Sequence, residues 1–111
     1  MSPMAKRILY VLLAVLIVVD VPWAEGLRFE HSSGEMAEFA RTLGQNDEVR
    51  DVSLGLLSFV FVRQEEGHVV FYRGRGWDHD GWGYIWSPGH RPADTRHLDG
   101  PWYRFRDDAH M

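Results

Sequence analysis

The sequence predicts an α+β protein: an N-terminal apolar signal or anchor helix, then one amphipathic helix packed on an antiparallel sheet of four to five strands. Three observations predict it. An uninterrupted apolar run, Ile8–Val19, stands directly behind Lys6 and Arg7. A single helical face follows at Met36, Phe39, Ala40 and Leu43. Beyond it come β-rich runs divided by turn signals, with no second helical period.

The apolar run is 12 residues long, which fits a signal-peptide core of about 7–15 residues better than a spanning helix of about 20. Ala24-Glu25-Gly26 supplies small residues at −3 and −1 for cleavage before Leu27. The rival reading keeps the segment as an anchor, with residues 8–24 in the membrane and Trp23 in the interfacial belt. A buried core helix is a third reading. Under the first two, Lys6 and Arg7 stay inside, and residues 27–111 form a small exported α+β domain, periplasmic or secreted. Cysteine is absent, so neither a disulfide nor a lipidated cysteine is available, and any tether must be the apolar segment itself.

A chain of 111 residues holds one domain. A domain this small buries only about 60–65% of its unfolded surface. Its 14% aromatic content offsets that deficit, because each buried ring removes a large area from water. The net charge of −4, with no basic stripe, argues against nucleic acid as a partner. Lys6 is the only lysine; every later basic residue is arginine, which pairs carboxylates bidentately and stacks on rings.

Leu27–His31 alternates briefly and reads as an edge strand. Ser32-Ser33-Gly34-Glu35 matches a capping box, so a helix is expected over about 33–43, with Gly44 at its C′ position. Val52–Arg63 is strand-like, with Gly55 a bulge. Ser58–Arg63 and His68–Arg73 flank Gln64–Gly67 as a hairpin. Both arms are apolar at consecutive positions, as in strands covered on both faces, or on one face plus an oligomer contact. Gly74–Gly83 is a glycine-rich loop, Trp82–Ser87 a strand, Gly89–Gly100 a polar turn region and Pro101–Arg106 a last strand.

The aromatic row is the most informative feature. Trp82, Tyr84 and Trp86 alternate with Gly83 and Ile85, so one strand face carries all three rings. Such a row forms either a core or a surface that stacks on sugars or anchors a protein partner. Gly83 opposite the row points to something large packed on the other face. Arg73-Gly74-Arg75-Gly76 reads as a loop or an anion nest, without the spacing of a nucleotide-binding loop.

The binding candidates are therefore Arg73, Arg75, Trp77, Trp82, Tyr84 and Trp86. Asp78-His79-Asp80-Gly81 lacks the ligand positions of a calcium loop, and His79, His90 and His97 have no zinc-like spacing, so no cofactor or metal is expected. With no cysteine and no Gly-x-Ser-x-Gly elbow, no catalytic residue is assigned. The sequence points to an exported or membrane-tethered binding module for a protein or glycan of the cell envelope. The alternatives are a small glycan-binding module and a small hydrolase using Asp78, His79 and Asp80.

Overall fold

The structure, a computed structural model, describes residues 22–76 and 80–107. One helix, α1 (Pro22–Thr42), precedes six strands: β1 (Glu48–Leu54), β2 (Leu57–Glu65), β3 (His68–Arg75), β4 (Gly81–Trp86), β5 (Thr95–Asp99) and β6 (Trp102–Asp107). They form one antiparallel sheet in the order β1-β2-β3-β4-β6-β5, and α1 packs on one face of it. The α+β architecture is as expected, with six strands rather than four to five.

The added strands have local causes. Gly55 is not a bulge inside one long strand. With φ of 59° it opens a two-residue turn between Leu54 and Leu57 and so divides β1 from β2. Strand β5 lies in the segment read as polar turns; Thr95-Arg96-His97-Leu98-Asp99 is an exposed edge strand with little apolar signal. The β2–β3 hairpin is as expected, but Gln64 and Glu65 belong to β2 and the turn is two residues rather than four. Its turn residues Glu66 (φ 42°) and Gly67 (φ 90°) both take the left-handed region of a type I′ turn.

Helix α1 begins well before residue 33, and Leu27–His31 is helical rather than an edge strand. At 21 residues it is about 31 Å long. The expected apolar face holds: Met36 and Ala40 are buried, and Phe39 and Leu43 pack against the core. The stripe continues upstream through Ser32, Phe29, Arg28, Glu25 and Ala24, all buried at helical spacing. Ser32 is therefore no N-cap. Its fully buried hydroxyl accepts a hydrogen bond from the Leu56 amide at 2.8 Å and locks mid-helix to the β1–β2 turn.

Between helix and sheet lie Phe29, Met36, Ala40, Val52, Leu54, Leu57, Phe59, Val62, Val69, Phe71, Tyr84 and Trp102. Phe29 stacks on Tyr84 at 4.4 Å and meets Trp102 edge-on at 5.2 Å, which ties the front half of α1 to β4 and β6. No helix among the described residues covers the opposite face, although Ile85 on it is buried and the His90 ring packs beside His68 at one end. The boundary expected at residue 27 thus falls inside α1, while the apolar run of residues 8–19 lies outside the described residues.

Candidate functional site

Glu25, on the first turn of α1, projects onto β3 and β4. Arg73 Nη2 donates to Glu25 Oε1 at 2.8 Å, the Tyr84 hydroxyl donates to Oε2, and Arg28 Nη1 stands 3.8 Å from Oε1. The side chains of Arg28, Glu25 and Arg73 are 8%, 12% and 17% exposed, so these charges act on one another with little water between them. Arg73 shares the helix-side face of Val69 and Phe71 by strand alternation, and the β3–β4 register shifts beside it, between Tyr72 and Gly74, where Gly74 takes φ of 122°. Its Nη1 donates to the Ser58 carbonyl at 2.7 Å. Burial, then the facing Glu25 carboxylate, pushes the Tyr84 phenol far above its ordinary range. Tyr84 therefore stays protonated and serves as a donor.

The alternation of the aromatic row is as read, and its face is the helix-covered one. Tyr84 is 2% exposed and belongs to the core, so it is no contact for an outside partner. Trp82 is half-buried between two guanidinium groups, with Arg73 5.4 Å and Arg104 4.6 Å from its ring centroid. Trp86 is half-buried with Arg41 5.6 Å from its centroid. Arg75 is exposed at the end of β3. Arg73, Trp82 and Tyr84 are thus brought together, Arg75 and Trp86 stand apart from them, and Trp77 lies outside the described residues.

Of the hydrolase trio, Asp78 and His79 also lie outside the described residues, and Asp80 pairs with Arg106 at 3.3 Å. His90 sits beside His68, with ring centroids 5.5 Å apart. His97 lies against Tyr103, its Nε2 3.0 Å from the Gly100 carbonyl. Among the described residues no three His, Asp or Glu side chains gather to hold a metal.

The consecutive apolar positions of the hairpin arms pointed to a second apolar face, but not to the residues that align across it. Pairing aligns Arg50, Phe61, Tyr72, Gly83, Phe105 and Thr95 in one row across the six strands. Phe61 and Tyr72 stack at 4.9 Å with their planes 8° apart, and Tyr72 reaches across the glycine to Phe105 at 6.4 Å. A Cβ at Gly83 would lie 3.0 Å from Phe105 and 2.1 Å from the Phe71 carbonyl oxygen, so the bare backbone lets these rings close over β4. The inference that something large packs opposite the Trp82 row is met by Tyr72 and Phe105. Arg63 lies 4.6 Å over Phe61 and is held there by Glu48, whose carboxyl it keeps below the usual range. The parallel row of Val70, Ile85 and Tyr103 extends the apolar strip.

No family model, no curated protein and no solved structure matches this chain. Its chemistry is read from its own geometry. The helix-side cluster is an ion and hydroxyl network centred on Glu25, in which the buried Arg73 Nε has no hydrogen-bond partner. The open face carries half-buried rings with the Arg50 and Arg63 guanidinium groups over Phe61.

Proposed function

We propose that this chain is a membrane-tethered, extracytoplasmic and non-catalytic binding module, and that its partner is a protein of the cell envelope packed on the open face of the sheet. The observation that carries the reading is the one-sided cover. Helix α1 closes one face, while on the opposite face the half-buried rings of Phe61, Tyr72 and Phe105, with Arg50 beside them, have no helix over them among the described residues. A protein fits that row better than a sugar does. Two parallel rings 4.9 Å apart overlap face to face and cannot both lie flat on the sheet. They present edges, which fill apolar pockets, whereas a sugar stacks on an open ring face.

Retention of the N-terminal segment is supported by α1. Processing after Gly26 would remove Ala24, which is fully buried, and Glu25, the acceptor for both Arg73 and Tyr84. A leader that is discarded has no reason to supply the carboxylate at the centre of the domain. Lys6 and Arg7 ahead of the apolar run set the domain on the outer side. A hydrolase built on Asp78, His79 and Asp80 has less behind it, since Asp80 is already engaged by Arg106.

A photo-cross-linking phenylalanine analogue in place of Tyr72, introduced in cells with an intact envelope, tests the reading. A discrete protein adduct that disappears with Phe61→Ala, and does not form from the exposed helix position Glu35, supports it. No adduct at position 72, or equal adducts from both positions, would refute it.

A further inference from the structure

A groove of about 740 Å³ runs beside the first turns of α1, walled by Trp23, Leu27, Phe29, Leu98 and Trp102. Its outer lip is unusually greasy for an exposed helix surface. Trp23 is 61% exposed and Leu27 is 42% exposed, one turn apart on the same side of α1. Single exposed apolar side chains need no explanation. The position of these two does, because of what precedes them in the chain.

Residues 8–19 are all apolar, and only Asp20, Val21 and Pro22 separate Val19 from Trp23. Four peptide steps reach about 14 Å at full extension and about 6 Å as helix. The headgroup region is about 5–7 Å deep on each side of the hydrocarbon. A chain whose apolar run ends at the hydrocarbon edge thus keeps Trp23 within about 14 Å of that edge, and a helical connection of about 6 Å sets it in the headgroup region, where an amphipathic indole ring is most favourably placed. The tether also needs help. The uninterrupted run Ile8–Val19 would measure only about 18 Å as a helix against about 30 Å of hydrocarbon. Among the described residues no helix is long and apolar enough to cross a membrane.

We propose that Trp23 and Leu27 form a lipid-contact surface that seats the domain directly on the bilayer entered by its own N-terminal run. The inference rests on the tethered reading above and adds the face by which the domain lies down. Trp23 and Leu27 enter the boundary between headgroups and acyl chains, adding apolar area that the short run lacks. Glu30 and Asp99, which also line the groove, stay at headgroup level and favour zwitterionic over anionic lipid. Seating this side of α1 leaves the aromatic row, on the other side of the sheet, open to a partner.

The test uses the full chain reconstituted with phosphatidylcholine vesicles carrying bromine at a shallow acyl position. Flotation reports the tether, and bromine quenching reports the depth of the indoles. The chain is expected to float, with a quenched component that disappears in Trp23→Phe. The double variant Trp23→Ser, Leu27→Ser, checked for an unchanged far-ultraviolet dichroism and a cooperative melt, should lower the vesicle partition coefficient on the order of tenfold or more. Flotation without Trp23 quenching overturns the inference and leaves the tether standing. Failure to float overturns both. Trp23 shielded by a second chain, seen as cross-linked dimers through position 27, overturns it in favour of self-association.

Discussion

Glu25→Ala removes the one carboxylate that holds α1, β3 and β4 together. It leaves the Arg73 guanidinium, 17% exposed, with the Ser58 carbonyl as its remaining hydrogen-bond partner, and it strips the buried Tyr84 hydroxyl of its acceptor. Breaking a buried ion pair from one side costs about 3–5 kcal/mol, and water entering the vacated space offsets part of that. We expect a loss of about 3 kcal/mol, a large part of the total for a domain this small. In a domain of this size each 1 kcal/mol lowers the Tm by about 4–8 °C, so the variant should melt about 12–24 °C below the parent. Near-ultraviolet dichroism on heating the full chain in neutral detergent measures it. Arg73→Met and the double variant complete a cycle that isolates the pair. A Tm within about 3 °C of the parent would show that Glu25 is a bystander and refute the reasoning.

Three further outcomes follow from the packing. Gly55→Ala should cost about 2–3 kcal/mol by urea unfolding, because the position has φ of 59° and its Cβ would lie 2.5 Å from the Ser32 hydroxyl; an unchanged midpoint would mean that mid-helix does not dock there. Gly83→Ala should abolish folding, since its Cβ would lie 2.1 Å from the Phe71 carbonyl oxygen and part β3 from β4; a folded, soluble variant would contradict the close approach over which Tyr72 and Phe105 meet. Burial holds the His68 imidazole below its ordinary 6.5, partly opposed by the Glu65 carboxylate at 3.8 Å and reinforced by neighbouring His90. The unfolded chain then binds the proton more readily, so this contribution is present above about pH 6.5 and is lost as the pH falls through and below it. His68→Gln should flatten that part of the stability profile, and an unchanged slope between about pH 7 and 5.5 would refute the assignment.

The sequence made the apolar half of the fold legible and hid the polar half. Met36, Phe39, Ala40 and Leu43 recur at helical spacing and bury as that spacing requires. Upstream the same stripe runs through Ser32, Arg28 and Glu25: Leu56 satisfies Ser32, Arg73 and Tyr84 satisfy Glu25 from elsewhere in the chain, and Glu25 in turn faces Arg28. A hydrophobic count cannot see such positions, and the serine–glutamate pair at 32–35 imitates a helix start where the helix is already half complete. Strand β5 was hidden for a related reason. As an edge strand its residues face water, and its composition matches that of a turn. The alternation of Trp82, Tyr84 and Trp86 was legible, but which face α1 would cover was not. That choice put Tyr84 in the core and left the residues of the opposite parity, Tyr72, Tyr103 and Phe105, to the open surface.

The central claim is that residues 22–26 belong to the folded domain, and the proposal built on it is that the apolar segment before them stays attached. The intact mass and N-terminal sequence of the chain recovered from the membrane fraction of expressing cells test it most directly. The account predicts an unprocessed chain of 12.9 kDa that keeps Ala24 and Glu25. A stable, folded product beginning at Leu27 would contradict it.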